Sequence, residues 1–431
     1  MRSNPRPGAY LVALAAALSL GMPGCGEDER PFRVGVVVDC VGIARSFEGA
    51  ELSGAQLPLI ERGARRRGTR PTAGITSAEV GGTPVEIVKG CTEAFEFSVL
   101  TRELRRLAEV EHVDAIIAAS TGADEVVLRD VARAHPDVVF LPLAHGPREV
   151  TTPRPSRNVF RFAGDYGQGV AGLATYAYRR LGWRQAAIVL ADWDAGWLAR
   201  DAFVAEFCAL GGTIAKQVAV PTFDPGGRDV RRVPRDVDGV AVFAGQFFGP
   251  ARFLQRLARR TADPAREILV APGVTNEPGL LRATADSLDG VAGSSYVDPA
   301  RMRNFLRAYA RAFPGTPVDV AGSELVTGYR DAMEALLRSL ERADGENARL
   351  KRELGRLRID LLGGPVRLDD HRQAVVSTSL VRIGAGADPV LTPMLRKDSV
   401  DQSIGGLLDS SLSPSDRPAA CTRRRQGSPR D

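Results

Sequence analysis

Few residues in this chain of 431 have the type and spacing that catalysis or metal binding needs. The four histidines, His112, His135, His145 and His371, are scattered, and no spaced acidic pair indicates an acid/base couple. GxSxG, HExxH, P-loop and strand-linked GxGxxG motifs are absent from the sequence. The five cysteines show neither CxxC nor Cys/His spacing, which argues against a zinc site. These absences leave a hydrolase or a dehydrogenase unsupported but not excluded, and we expect a protein that is not an enzyme and uses no metal or cofactor.

The remaining residues that could contact a ligand carry hydroxyls or aromatic rings or are glycines. They lie in six loops that follow apolar runs. The loops are DCVGIARSF (39–47), STG (120–122), AHGP (144–147), DWDAGW (192–197), GQFFG (245–249) and APGVTNEP (271–278). Hydroxyls and free N–H groups at helix N-termini suit a carboxylate, and aromatic rings would cover the rest of a small ligand. In the simpler alternative, Ser120 only caps a helix, and Trp193 and Trp197 only pack at a domain boundary.

The apolar runs before these loops predict the elements that position them. They are short and continuous rather than alternating, which is typical of strands buried on both faces of a parallel sheet. Helical segments separate them, and the pattern restarts after EVTTPRPSRN at 149–158. This alternation predicts two α/β lobes built from βαβ units. Because ligands bind outside the carboxyl ends of such strands, we expect the six loops to line one interlobe cleft.

The N-terminus has the pattern of an export signal, assigned to residues 1–24. Arg2 and Arg6 precede an apolar run at 11–22 that is too short to span a membrane comfortably. The run ends in MPGC, which resembles a bacterial lipobox and implies that Cys25 is diacylated. The alternative is an ordinary cleaved signal that leaves a free thiol. Residues 25–32 would then form a short tether.

Composition argues against a nucleic-acid partner. The pI is about 9.1, but only four of the 57 basic residues are lysine, which indicates an arginine codon bias. Without the signal and the residues from Gly386 onward, 48 basic residues face 46 acidic ones, too small an excess for DNA or RNA binding. An apolar fraction of 44% is ordinary for a globular protein, and the length favours two lobes.

Six sequence stretches in the correct order resemble the type I periplasmic binding proteins of the Leu/Ile/Val receptor branch. They are RVGVVVD, EGAELSGAQL, IIAASTG, FRFAGDYGQGVAGLATYAYRRLGWRQAAIVLADWDAGW, FAGQFFGPARFLQRL and GPVRLDDHRQ. The resemblance covers about 33–383 and implies an α/β fold of two Rossmann-like lobes, with parallel sheets flanked by helices and three crossover strands. It assigns 33–150 plus 292–356 to lobe I and 151–291 plus 357–385 to lobe II, and 386–431 is expected to be a disordered tail.

The resemblance also implies ligand-binding residues. In lobe I, hydroxyl and backbone contacts to an amino-acid head group fall on Ser120 and Thr121 and on Ala144, His145 and Gly146. In lobe II, Trp193 stands near a position often held by tyrosine, and Gln246 or Phe247 takes the next aromatic position. Gly273 and Val274 stand where a glutamate commonly binds the ammonium group, and Asp192, Asp194 or Glu277 are candidate substitutes.

Two further expectations follow from the resemblance. The first two strands are neighbours in this fold, so Cys40 and Cys91 at their carboxyl ends are expected to form a disulfide, whereas Cys208 reads as a buried small hydrophobe. The implied function is a solute-binding lipoprotein, exported and lipid-anchored to the cell envelope. It would capture an amino acid or related small carboxylate and deliver it to the permease of an ABC importer. The alternative is a ligand-sensing receptor module that signals through a partner protein.

Overall fold

The fold is given by a computed structural model. It describes residues 30–118, 124–143, 146, 148, 151, 155–221, 228–243, 250–315, 322–343, 347–409 and 421. The described residues from Pro31 onward form one compact unit. No helix among them combines the length and the apolar character that a membrane crossing requires.

The first sheet forms the centre of lobe I. Its strands are β1 (Phe32–Val41), β2 (Ala78–Val80), β3 (Thr83–Glu93), β4 (Ala115–Ala118) and β5 (Val139–Pro142), in the order β2-β3-β1-β4-β5. β1 is parallel to β3 and β4, and only β2 runs antiparallel to its neighbour β3. Val36 and Val37 of β1 point to opposite faces, and both are fully buried. The continuous apolar run of β1 is therefore explained by helices on both sides of the sheet.

The second sheet belongs mainly to lobe II. Its strands are β6 (Gln185–Ala191), β7 (Thr213–Val220), β8 (Gly239–Phe243), β9 (Ile268–Val270), β10 (Ala292–Ser295), β11 (Arg358–Leu361), β12 (Gly364–Leu368), β13 (Ala374–Ile383) and β14 (Leu391–Val400). The order is β11-β12-β13-β10-β9-β8-β6-β7, with β14 also paired to β13. β6 to β10 form the parallel part, and β10 to β14 pair antiparallel.

Helices cover both sheets. They are α1 (Glu48–Ile60), α2 (Phe97–Arg105), α3 (Asp124–Ala134), α4 (Leu173–Tyr176), α5 (Asp194–Ala209), α6 (Pro250–Ala258), α7 (Pro264–Glu267), α8 (Pro272–Thr275), α9 (Pro278–Thr284), α10 (Pro299–Ala312), α11 (Glu324–Leu340) and α12 (Asn347–Arg356). α1 and α11 pack on one face of the first sheet, and α5 packs on the second. The chain passes between the lobes in three segments, near 159–165, 295–298 and 361–377, as expected for this fold.

The expected lobe boundaries need two corrections. β10 pairs with β9 and β13, so 292–295 belongs to lobe II and not to lobe I. Leu357, Leu361, Val366 and Leu368 are buried in the lobe I core, although 357–385 was expected in lobe II. β13 changes lobes along its length, because Ala374 lies in the first core and Leu380 in the second. Because a crossover strand contributes to the cores of both lobes, no single residue within it divides lobe I from lobe II.

The expectation of a disordered tail from Gly386 was wrong for residues 386–409. β14 pairs antiparallel with β13 from Val400 opposite Val376 to Leu391 opposite Ile383. Its sequence, LTPMLRKDSV, lacks an apolar run because β14 is an edge strand, where backbone hydrogen bonds suffice for pairing. Gln402 beyond it is only 4% exposed.

Two cysteine pairs lie at disulfide distance. Cys40 and Cys91 pair as expected, with Cα atoms 5.5 Å apart at the carboxyl ends of β1 and β3. Cys208 pairs with Cys421, with Cα atoms 5.4 Å apart. Cys208 is half-buried on α5, so its interpretation as a buried small hydrophobe was wrong. Its partner lies 213 residues away in a region expected to be unstructured, which hid the pairing from the sequence.

Candidate functional site

An aromatic pocket lies where the carboxyl ends of β6, β8 and β9 meet. Tyr166, Trp193 and Tyr296 supply its rings, and Phe243 and Gly273 complete its wall. Tyr166 meets Trp193 edge to face with ring centroids 5.8 Å apart, and is itself 7% exposed. Such a pocket suits a small organic ligand with an apolar body.

Local backbone chemistry places Trp193 at this pocket. Trp193 has an extended backbone (φ −162°, ψ 177°) immediately before α5, and its N–H donates to the Ala191 carbonyl at 2.9 Å. A Cβ on Gly196 would collide with that same carbonyl, so glycine lets the first turn of α5 approach the end of β6. Trp197, one turn later, instead packs against the lobe II core. The two tryptophans therefore have different roles.

The structure brings some of the expected ligand residues to the pocket. Trp193 and Gly273 line it, whereas the side chain of Val274 is fully buried in the lobe II core and faces no ligand space. In lobe I, a Cβ on Gly146 would collide with the Glu125 carboxylate, which explains the glycine there. The other expected ligand residues lie outside the described residues, as does Cys25: Ser120, Thr121, Ala144, His145, Gln246 and Phe247.

Two glutamates from different lobes lie within electrostatic reach of each other. Glu277 precedes α9 in lobe II, and its carboxylate accepts a hydrogen bond from the backbone N–H of Glu324, the first residue of α11 in lobe I. Burial raises the pKa of Glu277 to about 7. The pKa of Glu324 is raised well above its usual range by burial and by the charge of Glu277. Glu277 is a candidate in the sequence for the ammonium contact, whereas no sequence pattern indicates Glu324, because only the fold brings α11 to α9.

A second group of buried carboxyls lies at the carboxyl end of the first sheet. The N–H of Asp39, the residue before Cys40, donates to Glu51 Oε2 at 2.8 Å, and Glu51 is fully buried. Burial, with a contribution from the charge of Asp124, raises the pKa of Asp39 to about 6. The pKa of Glu51 is also raised well above its usual range, mainly by burial and secondly by the charge of Asp39. The buried pair therefore keeps a proton to higher pH than two exposed carboxyls would.

Buried polar side chains join the crossover segments. Arg161 Nη1 donates to Glu125 Oε2 at 2.8 Å with both side chains 0% exposed, which connects the first crossover to α3. Arg148 Nε donates to Asp165 Oδ2 at 2.9 Å, and the Gln402 amide donates to the same oxygen at 3.2 Å. Residues beyond β14 thus reach the hinge between the lobes.

The comparisons with known proteins agree with this architecture. The family model described as periplasmic binding protein matches residues 31–388, and the chain belongs to that family. Its members bind small ligands outside the cytoplasm and are not enzymes. A search of curated proteins found no match.

Solved structures show the same fold at low sequence identity. An ABC transporter substrate-binding protein from Sphaerobacter thermophilus has a TM-score of 0.74 and 21% identity, with 86% of this chain and 99% of that one covered. A solute-binding protein from Rhodopseudomonas palustris BisB5, in complex with 3,4-dihydroxybenzoic acid, has a TM-score of 0.71 and 18% identity over 86% and 98%. A leucine-binding protein from Thermotoga maritima has a TM-score of 0.67 and 19% identity over 85% and 98%.

Proposed function

We propose that this protein is an exported, lipid-anchored solute-binding protein that captures a small ligand between its lobes and delivers it to an ABC importer. The ligand is an amino acid or a related small carboxylate. The observation that carries the proposal is the aromatic pocket of Tyr166, Trp193 and Tyr296 at the carboxyl ends of the lobe II strands. A pocket on lobe II that includes a crossover residue, Tyr296, suits a hinge that closes on its ligand.

The mechanism follows from the position of the rings. Tyr166 and Trp193 belong to lobe II, and Tyr296 lies at a crossover, so a ligand stacked on them would contact the hinge directly. Closure would bring the lobe I loops over the ligand and exclude water from it. A permease can then recognise the closed form, because ligand binding shifts the population toward that form. One solved relative is in complex with dihydroxybenzoic acid and another is named a leucine-binding protein, which supports a small ligand of this size class.

Trp193→Ala is expected to weaken binding at least about ten-fold, because it removes one wall of the pocket. The ligand is first identified by a melting-temperature scan of the mature protein against amino acids, small carboxylates, sugars and aromatic acids. A ligand at a hundred times its Kd stabilises by about 2.7 kcal/mol, which shifts melting by several degrees. Titration calorimetry with that ligand then compares the variant with the native protein.

Phe97→Ala is the matched control, since Phe97 is an aromatic residue of α2 that is 44% exposed. It should leave the Kd unchanged. If Trp193→Ala bound the ligand as tightly as the native protein, the aromatic pocket would not be the binding site. If no compound of the panel stabilised the protein, the proposed binding function would be contradicted.

The lipid anchor is proposed from the sequence of the signal region alone. Full-length protein made with its own signal is expected in the membrane fraction, with an N-terminal peptide whose mass includes a diacylglyceryl group on Cys25. Cys25→Ser should move the protein to the soluble fraction. A soluble native protein with a free Cys25 thiol would contradict lipidation and leave ligand binding unaffected.

A further inference from the structure

We propose that Gln402 and the backbone carbonyl of Val400, at the end of β14, position the aromatic pocket by holding the turn at 165–169, which carries Tyr166. The inference rests on the proposed function, because it assigns positioning residues to the same pocket. Both residues lie beyond 31–388, the part of the chain that the family model matches. The family match therefore assigns them no role.

The turn at 165–169 determines where two rings of the aromatic pocket stand. Tyr166 lies within the turn and packs edge to face on Trp193. A Cβ on Gly169 would collide with the ring of Tyr296, so the turn also lies directly against that ring. A shift of the turn would therefore move Tyr166 relative to Trp193 and change the space beside Tyr296.

Both ends of this turn are hydrogen-bonded to the C-terminal residues. Gln402 Nε2 donates to Asp165 Oδ2 at 3.2 Å, and Gln168 Nε2 donates to the carbonyl of Val400 at 2.7 Å. Asp165 Oδ1 accepts the backbone N–H of Gln168 at 2.8 Å, so one carboxylate joins the internal bond of the turn to the bond from Gln402. Asp165 and Gln168 are fully buried and Gln402 is 4% exposed. Because these bonds form away from solvent, bulk water does not replace a partner that is lost.

The C-terminal residues are themselves fixed to the helix that follows Trp193. Trp193 immediately precedes α5. Lys397 Nζ of β14 pairs with Glu206 Oε1 of α5 at 3.3 Å, and the Glu206 side chain is 5% exposed. Cys421 pairs with Cys208 of the same helix. The C-terminal residues thus join the helix behind one ring of the pocket to the turn that carries another.

Loss of the Gln402 amide is not expected to unfold the protein. Asp165 still accepts Arg148 Nε at 2.9 Å, so the buried carboxylate keeps a cationic partner. The change loosens the turn without leaving a buried charge unpaired, which is the case that destabilises strongly. A positioning role can therefore be measured separately from folding.

Hydrogen–deuterium exchange of the mature full chain, without any added compound, tests the positioning of the turn. The variants are Gln402→Ala and Gln402→Met, of which the second keeps the side-chain length and lacks the amide. We expect the amides at 168–169 to exchange at least about ten-fold faster in both, because the turn opens locally. Exchange in β6 and β8 should stay native, and near-ultraviolet circular dichroism should report altered packing of Tyr166 on Trp193. Gln185→Ala, at an exposed glutamine of β6, is the matched control and should change neither measurement.

Titration calorimetry with leucine and with 3,4-dihydroxybenzoic acid measures the consequence for binding. A probe that the native chain binds should bind both Gln402 variants at least about ten-fold more weakly, because a loosened pocket must be ordered on binding. Native exchange at 168–169, an equal rise of exchange throughout lobe II, or native affinity of both variants would overturn the inference while the proposed function stands. The proposed function fails only if the whole panel of compounds fails, and exchange at 168–169 still decides the inference in that case.

Discussion

Replacing Arg161 with methionine is expected to lower the free energy of unfolding by about 3–5 kcal/mol. Arg161 and Glu125 are both 0% exposed, and Nη1 donates to Oε2 at 2.8 Å. Removing the guanidinium leaves the buried carboxylate without this cation, and the carboxylate must then be protonated or hydrated at a cost. Arg161 Nε also donates to Gln373 Oε1, so the same change disrupts a contact between the first and third crossovers. Urea unfolding measures the loss.

The control for this prediction is the pair of Arg133 and Asp130 on α3. Their side chains are 44% and 58% exposed, and surface ion pairs contribute about 1 kcal/mol or less, so Arg133→Met should have little effect. The double variant Arg161→Met with Glu125→Gln should recover part of the loss, because it removes the buried charge together with its partner. A single-variant loss below about 1 kcal/mol, or a double variant no better than the single, would contradict the interpretation.

Glu51→Gln is expected to make the protein more stable than the native chain at pH 8, because it removes a fully buried carboxyl whose pKa is raised well above its usual range. Asp39 has a pKa of about 6 in the folded protein against 3.8 ordinarily, and the causes of its shift, burial and the charge of Asp124, remain in the variant. Since the folded state holds the proton more tightly, native stability is greatest below pH 4 for this group and falls as pH rises toward 6. The raised pKa of Glu51 extends the decline to higher pH.

Among the described residues, the groups that shift the pKa values of this pair are acidic or neutral. Asp124 at the start of α3 and Glu48 on α1 both raise the pKa values, and Thr92 on β3 stands opposite Asp39. A glutamine at position 51 can still accept the Asp39 N–H, and its amide can donate to the Asp39 carboxylate.

Thermal unfolding between pH 4.5 and 8.5 tests the prediction. The decline with pH should be larger in the native protein than in the variant, which retains the part that Asp39 causes, and the two curves should converge at low pH. Glu86→Gln, exposed on β3, controls for the change of residue type. A variant that is less stable than native protein at pH 8 would show that the carboxylate of Glu51 stabilises the fold.

Much of the architecture could be predicted from the sequence because local patterns encode it. The valine-rich run of β1 and the similar run of β6 are buried on both faces, as continuous apolar runs indicate. Trp193 was identified because parallel strands place their following loops at one edge of a sheet. The pairing of Cys40 with Cys91 followed from the resemblance, which made their strands neighbours.

What only the tertiary structure decided involves partners that are far apart in the chain. Glu277 with Glu324, Arg161 with Glu125 and Cys208 with Cys421 each join elements that no periodicity relates. β14 was missed because an edge strand is held by backbone hydrogen bonds, which leave little trace in side-chain pattern. The sequence alone determined the strands, their carboxyl-edge loops and the class of fold, since burial on two faces requires particular residue types. The charges that meet across the cleft depend on how the lobes are placed, which is a property of the folded chain and not of any segment.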